Sequence, residues 1–258
     1  MAEVTLQPAT GKSILFVVPA YQRVELATIC YQQLAAACEK VWYRSRLRAR
    51  ILVISDDENL EVAARLREVD GAPIDTVELD NRLGARLNAG YRYAHDEGFD
   101  YVCAVGNDSF MHPDRFSWLP VDNAILCTRN FTCINSEANV QAALRLDYPG
   151  GVGSRVFPTG MFARVDYAPL DPFQMSGCDT GTLLALCRNV LRAPDLIYTD
   201  LHPAEVVGFQ SGDVQVTKWA WWLQHPHEIQ EPFHGLADLY GDGLVEAIRS
   251  HYSALVVA

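Results

Sequence analysis

A chain of 258 residues, 49% of them hydrophobic, can bury the core of one large domain or of one domain with an appendage. Its net charge of -11 excludes a general polyanion-binding surface, so nucleic acid would have to be met by a local patch. Seven cysteines form no C-x-x-C pair, and several sit within apolar runs, which reads as reduced, buried thiols in a cytoplasmic protein.

Residues 1–12 lack a basic segment followed by an apolar one, so they do not read as a secretory signal and are expected as a flexible tail. Ile14 to Pro19 is a continuous apolar run, as a central parallel strand would be. Ala20 to Arg23 is a loop. Val24 to Glu39 has helical periodicity, with Leu26, Ile29, Cys30 and Leu34 on one side. A second buried strand is expected over Ile51 to Ile54, a helix from Asn59 to about Val69, and a third strand over Ile74 to Leu79. A further helix is expected from Asn81 to about Glu97. Strands alternating with helices predict an α/β fold with a parallel sheet and right-handed crossovers.

Tyr101 to Val105 is the next buried-strand candidate, and it ends in Gly106-Asn107-Asp108-Ser109 before a helix-starting Pro113-Asp114 pair. Ala124 to Thr128 is expected as a strand, Glu137 to Leu146 as a helix, and Tyr148 to Gly153 as a Gly-rich loop. Val156 to Arg164 reads as a strand bent at Gly160. A helix following Cys178-Asp179-Thr180-Gly181 runs to about Val190, Leu196 to Thr199 is a short strand, and a helix near Leu244 to Tyr252 closes the chain. No apolar run approaches the ~20 residues of a membrane helix. The simplest partition is an α/β domain over residues 13–203, with residues 204–258 as a C-terminal extension packed on it.

In open α/β sheets, ligands bind beyond the carboxyl ends of the strands, so Asp108 is well placed for a metal or a ligand. Asp57 follows another strand end, and Asp179 precedes a helix. Each also has a plain reading: Asp108 as a turn cap, Asp57 as a solvated turn residue, Asp179 as a helix N-cap. His225, His227 and His234 have no zinc spacing. Trp219, Trp221 and Trp222 read as packing of the extension before a sugar platform.

Several segments together resemble the GT-A glycosyltransferases, most closely the family-two-like group, over about residues 13 to 202. Phe16 to Arg23 look like the opening strand with its Pro-x-Tyr-x-Arg, which implies that Pro19, Tyr21 and Arg23 border the donor nucleotide. Ser55-Asp56-Asp57 matches the acidic end of the second strand, where Asp56 or Asp57 would contact base or ribose. Leu83 to Gly90 is similar to the Gly-x-x-x-Asn-x-Gly helix start, which implies donor contacts at Gly84, Arg86 and Asn88, with Arg23 and Arg86 facing the diphosphate. Gly106-Asn107-Asp108 falls where Asp-x-Asp belongs, implying a metal on Asp108 with Asn107 beside the donor. Gly160 and Met161 resemble the strand lining the acceptor side. Cys178-Asp179 stands where Glu-Asp belongs, which makes Asp179 the implied general base, and His202 falls where a metal-binding or phosphate-facing histidine is found. Gly106 and Cys178 replace the acidic residues of those motifs.

The resemblance implies a GT-A (Rossmann-like) fold and transfer of a sugar from a nucleotide-diphosphate-sugar, a UDP-sugar favoured, to an acceptor. A Mg²⁺ or Mn²⁺ ion would stabilise the departing diphosphate, and hard cations want oxygen ligands such as Asp108. An imidazole ligand such as His202 would suit Mn²⁺ better. An acceptor hydroxyl needs a base, which is the role expected of Asp179. Two other readings compete: a sugar-phosphate nucleotidyltransferase and a catalytically silent nucleotide-binding module. The first usually opens with a Gly-rich loop, and Ala20-Tyr21-Gln22-Arg23 is not one.

Overall fold

Ile14, Leu15, Phe16 and Val17 have no solvent exposure, as a continuous apolar run in a strand covered on both faces requires. The computed structural model describes residues 12–20, 23–45, 48–55, 74–78, 83–112, 125–128, 130–135, 140–145, 157–164, 196–199, 206–210 and 227–257. That first run is β1 (Ser13–Pro19), followed by α1 (Val24–Ser45), β2 (Arg48–Ser55), β3 (Ile74–Glu78), α2 (Leu83–Asp96) and β4 (Tyr101–Ala104). Then come β5 (Ser109–Met111), β6 (Ile125–Thr128), β7 (Asn130–Asn135), β8 (Val140–Arg145), β9 (Phe157–Arg164) and β10 (Leu196–Thr199). The chain continues through β11 (Val206–Gln210), β12 (His227–Gln230), α3 (Leu236–Tyr240) and α4 (Asp242–Val257).

The main sheet has the order β10-β6-β9-β4-β1-β2-β3. Parallel pairing joins β3 to β2, β2 to β1, β1 to β4 and β6 to β10, while β9 runs antiparallel to both β4 and β6. The expected α/β class, a mostly parallel sheet flanked by helices, is the one observed. Opposite β6, Leu126 faces Phe162 but Thr128 faces Phe157, so β9 carries its irregularity around Gly160, where a bend was expected. Helix α2 buries Gly84, Leu87, Tyr91 and Ala94, a three-to-four spacing that faces the sheet. It ends in a Schellman arrangement: Phe99 N donates to Ala94 O, Gly98 N donates to His95 O, and Gly98 sits at φ 70°.

A second sheet has the order β12-β8-β7-β11-β5. Here the sequence expectation fails at one element. Residues 137–146 were expected to be helical, yet Val140–Arg145 is strand β8, antiparallel to β7 on one side and to β12 on the other. Alanine, leucine and glutamine favour a helix locally, and pairing on both edges overrides that preference. Strands β5, β7, β11 and β12 were not anticipated, and α1 runs six residues beyond the Glu39 expected as its end. The helices expected at 59–69, after Pro113 and from after Gly181 to about 190 lie outside the described residues.

Between the sheets, Leu26 and Cys30 of α1 pack with Phe110, Ile134, Val207, Phe209, Phe233, Leu236, Val245 and Ile248. Phe110 and Phe209 meet edge-to-face at 4.7 Å. Strand β5 is held from both sides. Its residues pair with β11, while the buried Gln33 amide of α1 donates to Met111 O at 2.6 Å and accepts from Met111 N at 2.8 Å. Among the described residues, no helix is long and apolar enough to cross a membrane.

Candidate functional site

Strand order reverses between β1 and β4: β2 and β3 lie on one side of β1, and β4 and β9 on the other. At such a switch point the loops leaving two parallel strands diverge and open a crevice beyond their carboxyl ends. The chain leaving β1 is pinned by Ala20 N donating to Ile54 O at 2.7 Å, then passes through Arg23 into α1. Arg23 adopts φ 54°, a left-handed conformation uncommon outside glycine, and its carbonyl accepts from Ala27 N. The chain leaving β4 extends the pairing, with Val105 N donating to Val17 O, and then turns at Asn107 and Asp108.

These two loops meet through charge. Arg23 Nη1 lies 3.0 Å from Asp108 Oδ2, and the side chains are 14% and 27% exposed. Ser109 Oγ donates to the other carboxylate oxygen at 3.3 Å. The Asp108 carbonyl accepts from Phe209 N at 2.8 Å, so the same residue is tied to β11 of the second sheet. Gly106 explains the missing first aspartate of the motif. A Cβ at that position would lie 2.7 Å from Asp108 Oδ1 and 3.1 Å from Ser109 Oγ, so the Asp108 side chain occupies the space that a side chain at 106 would need.

Two thiols flank this carboxylate. Burial pushes Cys30 well above the usual thiol range, and the negative charge of Asp108 pushes it further; Arg23 and a hydrogen bond with the Ser109 backbone pull the other way. Burial and then Asp108 push Cys133 up in the same sense. Both are neutral at physiological pH, so neither competes with Asp108 for Arg23. Sequence reading did not link Ser109, Cys30 or Cys133 to the site. Only Ser109 carried a signal, its adjacency to Asp108.

Helix α2 supplies the other expected residues. Arg86 is 2% exposed, and its Nη1 donates to Ala20 O at 2.5 Å. It thereby braces Ala20, the residue that follows β1. Gly84 is buried, and Asn88 is half-buried with its Oδ1 lacking a partner among the described residues. Gly90 lets the helix touch the sheet: a Cβ there would come within 2.7 Å of Val17 Cγ2 and 3.1 Å of Val17 Cβ. Pro19 ends β1 beside Ile54. Gly160 and Met161 lie in β9, beyond the Cys103–Phe162 pair toward the carboxyl end of β4. Tyr21, Asp56, Asp57, Asp179 and His202 lie outside the described residues.

Among the described residues, those at Asp108 do not by themselves make a site for a divalent ion. Among the described residues, no three His, Cys, Asp or Glu side chains are grouped to hold a metal. The single carboxylate already engages a guanidinium and a hydroxyl, and a side chain at 106 would have to displace it.

No protein-family model matches the chain, and no curated protein sequence matches it. Solved structures do. Staphylococcus aureus TarS superposes with a TM-score of 0.52 at 12% identity, covering 78% of this chain and 37% of that one. TarS residues 1–349 in complex with UDP give 0.48 at 13% identity, covering 77% and 61%. A nucleotidyl transferase from Methanothermobacter thermautotroptrophicus gives 0.42 at 17% identity, covering 76% and 90%. The chain spans between 37% and 61% of the length of these TarS chains. At 12% identity the likeness to TarS is one of fold.

Proposed function

We propose that the chain is a glycosyltransferase that binds a nucleotide-diphosphate-sugar at the carboxyl ends of β1 and β4 and passes the sugar to an acceptor hydroxyl. The observation that carries this is the meeting of Arg23 and Asp108 at the switch point of a mostly parallel sheet, where such folds take their ligands. TarS, which shares the fold, is seen with UDP and with UDP-GlcNAc, which supports a UDP-sugar as donor. In this reading Pro19, Tyr21, Arg23, Asp56, Asp57, Gly84, Asn88 and Asn107 surround the donor, and Gly160 and Met161 face the acceptor. Asp179 accepts the proton of the acceptor hydroxyl as its oxygen bonds to the sugar's anomeric carbon. The anomeric carbon–oxygen bond breaks, and the nucleoside diphosphate leaves with that electron pair.

Calorimetric titration with nucleoside diphosphates, followed by turnover of a panel of nucleotide-sugars, tests the proposal. Binding with release of free nucleoside diphosphate supports it, and failure to bind any nucleotide overturns it. Release of pyrophosphate from a nucleoside triphosphate and a sugar phosphate would reassign the chain to nucleotidyl transfer. Asp179→Asn is expected to lower transfer by about 10²–10⁴-fold while sparing donor binding. One observation favours a second reading, a silent nucleotide-binding module: the Asp108 carboxylate is engaged by Arg23 and Ser109. Tight binding without turnover of any donor would select it.

A further inference from the structure

The carboxylate that a divalent ion would need at the end of β4 is engaged by the chain itself. A metal there would meet one carboxylate, shared with a guanidinium 3.0 Å away whose positive charge repels it. Arg23 has what an anionic ligand needs. Its Nε is buried and lacks an acceptor among the described residues, a state that costs free energy until an acceptor arrives. It stands directly before the N-terminus of α1, and its φ of 54° is a conformation held only where the surroundings over-determine it. A guanidinium presents its donors in a planar fork that matches the oxygens of a phosphate. In a chain of net charge -11, a diphosphate also requires a local cation, because the overall field opposes it.

We propose that Arg23, held in position by Asp108, is the cation that meets the donor's diphosphate, so that donor binding requires no divalent ion. This rests on the nucleotide-sugar reading above and assigns the charge partner within that site. Asp108 is then a positioning residue. Its carboxylate, fixed by Ser109 and by the space left at Gly106, orients the guanidinium and does not touch the phosphates.

The test is calorimetric titration of the full chain with UDP, GDP, CDP and ADP, once in EDTA and once in excess Mn²⁺. At least one nucleotide is expected to bind in both buffers, with affinities within about threefold of each other. Arg23→Gln is expected to weaken that binding by about ten- to a hundredfold in both buffers, the loss of a charge-assisted contact, and Arg23→Lys to recover part of it. Asp108→Asn is expected to weaken binding by about three- to tenfold, equally with and without Mn²⁺. A metal ligand would behave differently: binding confined to the Mn²⁺ buffer, and loss of that dependence in Asp108→Asn, would overturn the inference and leave the donor reading standing. Wild-type affinity in Arg23→Gln would also overturn it. If no nucleoside diphosphate binds in either buffer, the donor reading itself falls and takes the inference with it. The wild-type comparison stands even if a variant fails to fold.

Discussion

Two glycines at the site act by leaving space, and the two spaces differ in what would have to move. At Gly106 the obstacle is the carboxylate end of Asp108, a side chain that can rotate away. Gly106→Ala is therefore expected to change unfolding free energy by less than about 1 kcal/mol while turning Asp108 away from Arg23. Nucleoside diphosphate affinity should fall by about three- to tenfold, read by titration calorimetry beside a urea melt. At Gly90 the obstacle is Val17, a residue with no exposure in the middle of β1, whose Cβ cannot move without the strand. Gly90→Ala should cost about 1–3 kcal/mol in a urea melt. A melt midpoint equal to wild type would show that α2 can slide on the sheet. From sequence, both glycines read only as motif letters. Asp108 was legible as a carboxylate beyond a strand. That Arg23, 85 residues away, pairs with it was not legible, because only the pairing of β1 with β4 brings the two together.

Among the elements, legibility followed burial. Strands β1, β2 and β4 pair in parallel in the main sheet and show as unbroken apolar runs, which is why they could be read as buried strands. Strand β7 reads Asn-Phe-Thr-Cys-Ile-Asn and pairs with β11, whose residues follow more than seventy positions later, so no local pattern announced it. The five residues of β11 and four of β12 are similarly defined by partners, not by their own periodicity. Strand β5 depends on a contact from outside any sheet. With only three residues, it is clamped by Gln33, whose amide completes the backbone pairing of Met111. Gln33→Leu would leave both Met111 groups buried without partners, a cost of about 2–4 kcal/mol in unfolding free energy. Because Asp108 directly precedes β5, the same variant should also weaken nucleoside diphosphate binding, a coupling that a purely distant packing defect would not produce. Unchanged affinity alongside lost stability would separate the clamp from the site.

Across the whole molecule, the packing of two sheets around α1 leaves titratable groups deep in apolar surroundings, and this sets how the fold responds to alkali. Burial pushes Cys30 and Cys38 of α1 and Cys133 of β7 above the ordinary thiol range, and burial does the same to the Tyr31 hydroxyl. For each, the folded-state pKa is raised, so the folded chain keeps a proton that the unfolded chain releases. Below the unfolded thiol value of about 8.5 both states are protonated and stability does not depend on these groups. Above it the unfolded state binds fewer protons, and stability falls as pH rises toward the folded values. The expected slope is up to about 1.4 kcal/mol per pH unit for each thiol, with Tyr31 joining above about pH 10. Guanidinium unfolding under reducing conditions at about pH 8, 9 and 10 measures it. Cys133→Ala removes one thiol from the count and should flatten the slope by up to about 1.4 kcal/mol per unit, after allowance for any constant packing loss. Arg23→Gln acts on Cys30 from the other side. It removes the positive charge that holds that thiol down and leaves Asp108, which pushes it up, so Cys30 should become still less reactive toward iodoacetamide at alkaline pH. Faster labelling of Cys30 in that variant would mean that Arg23 shields the thiol sterically, and would remove the charge coupling between α1 and the turn after β4.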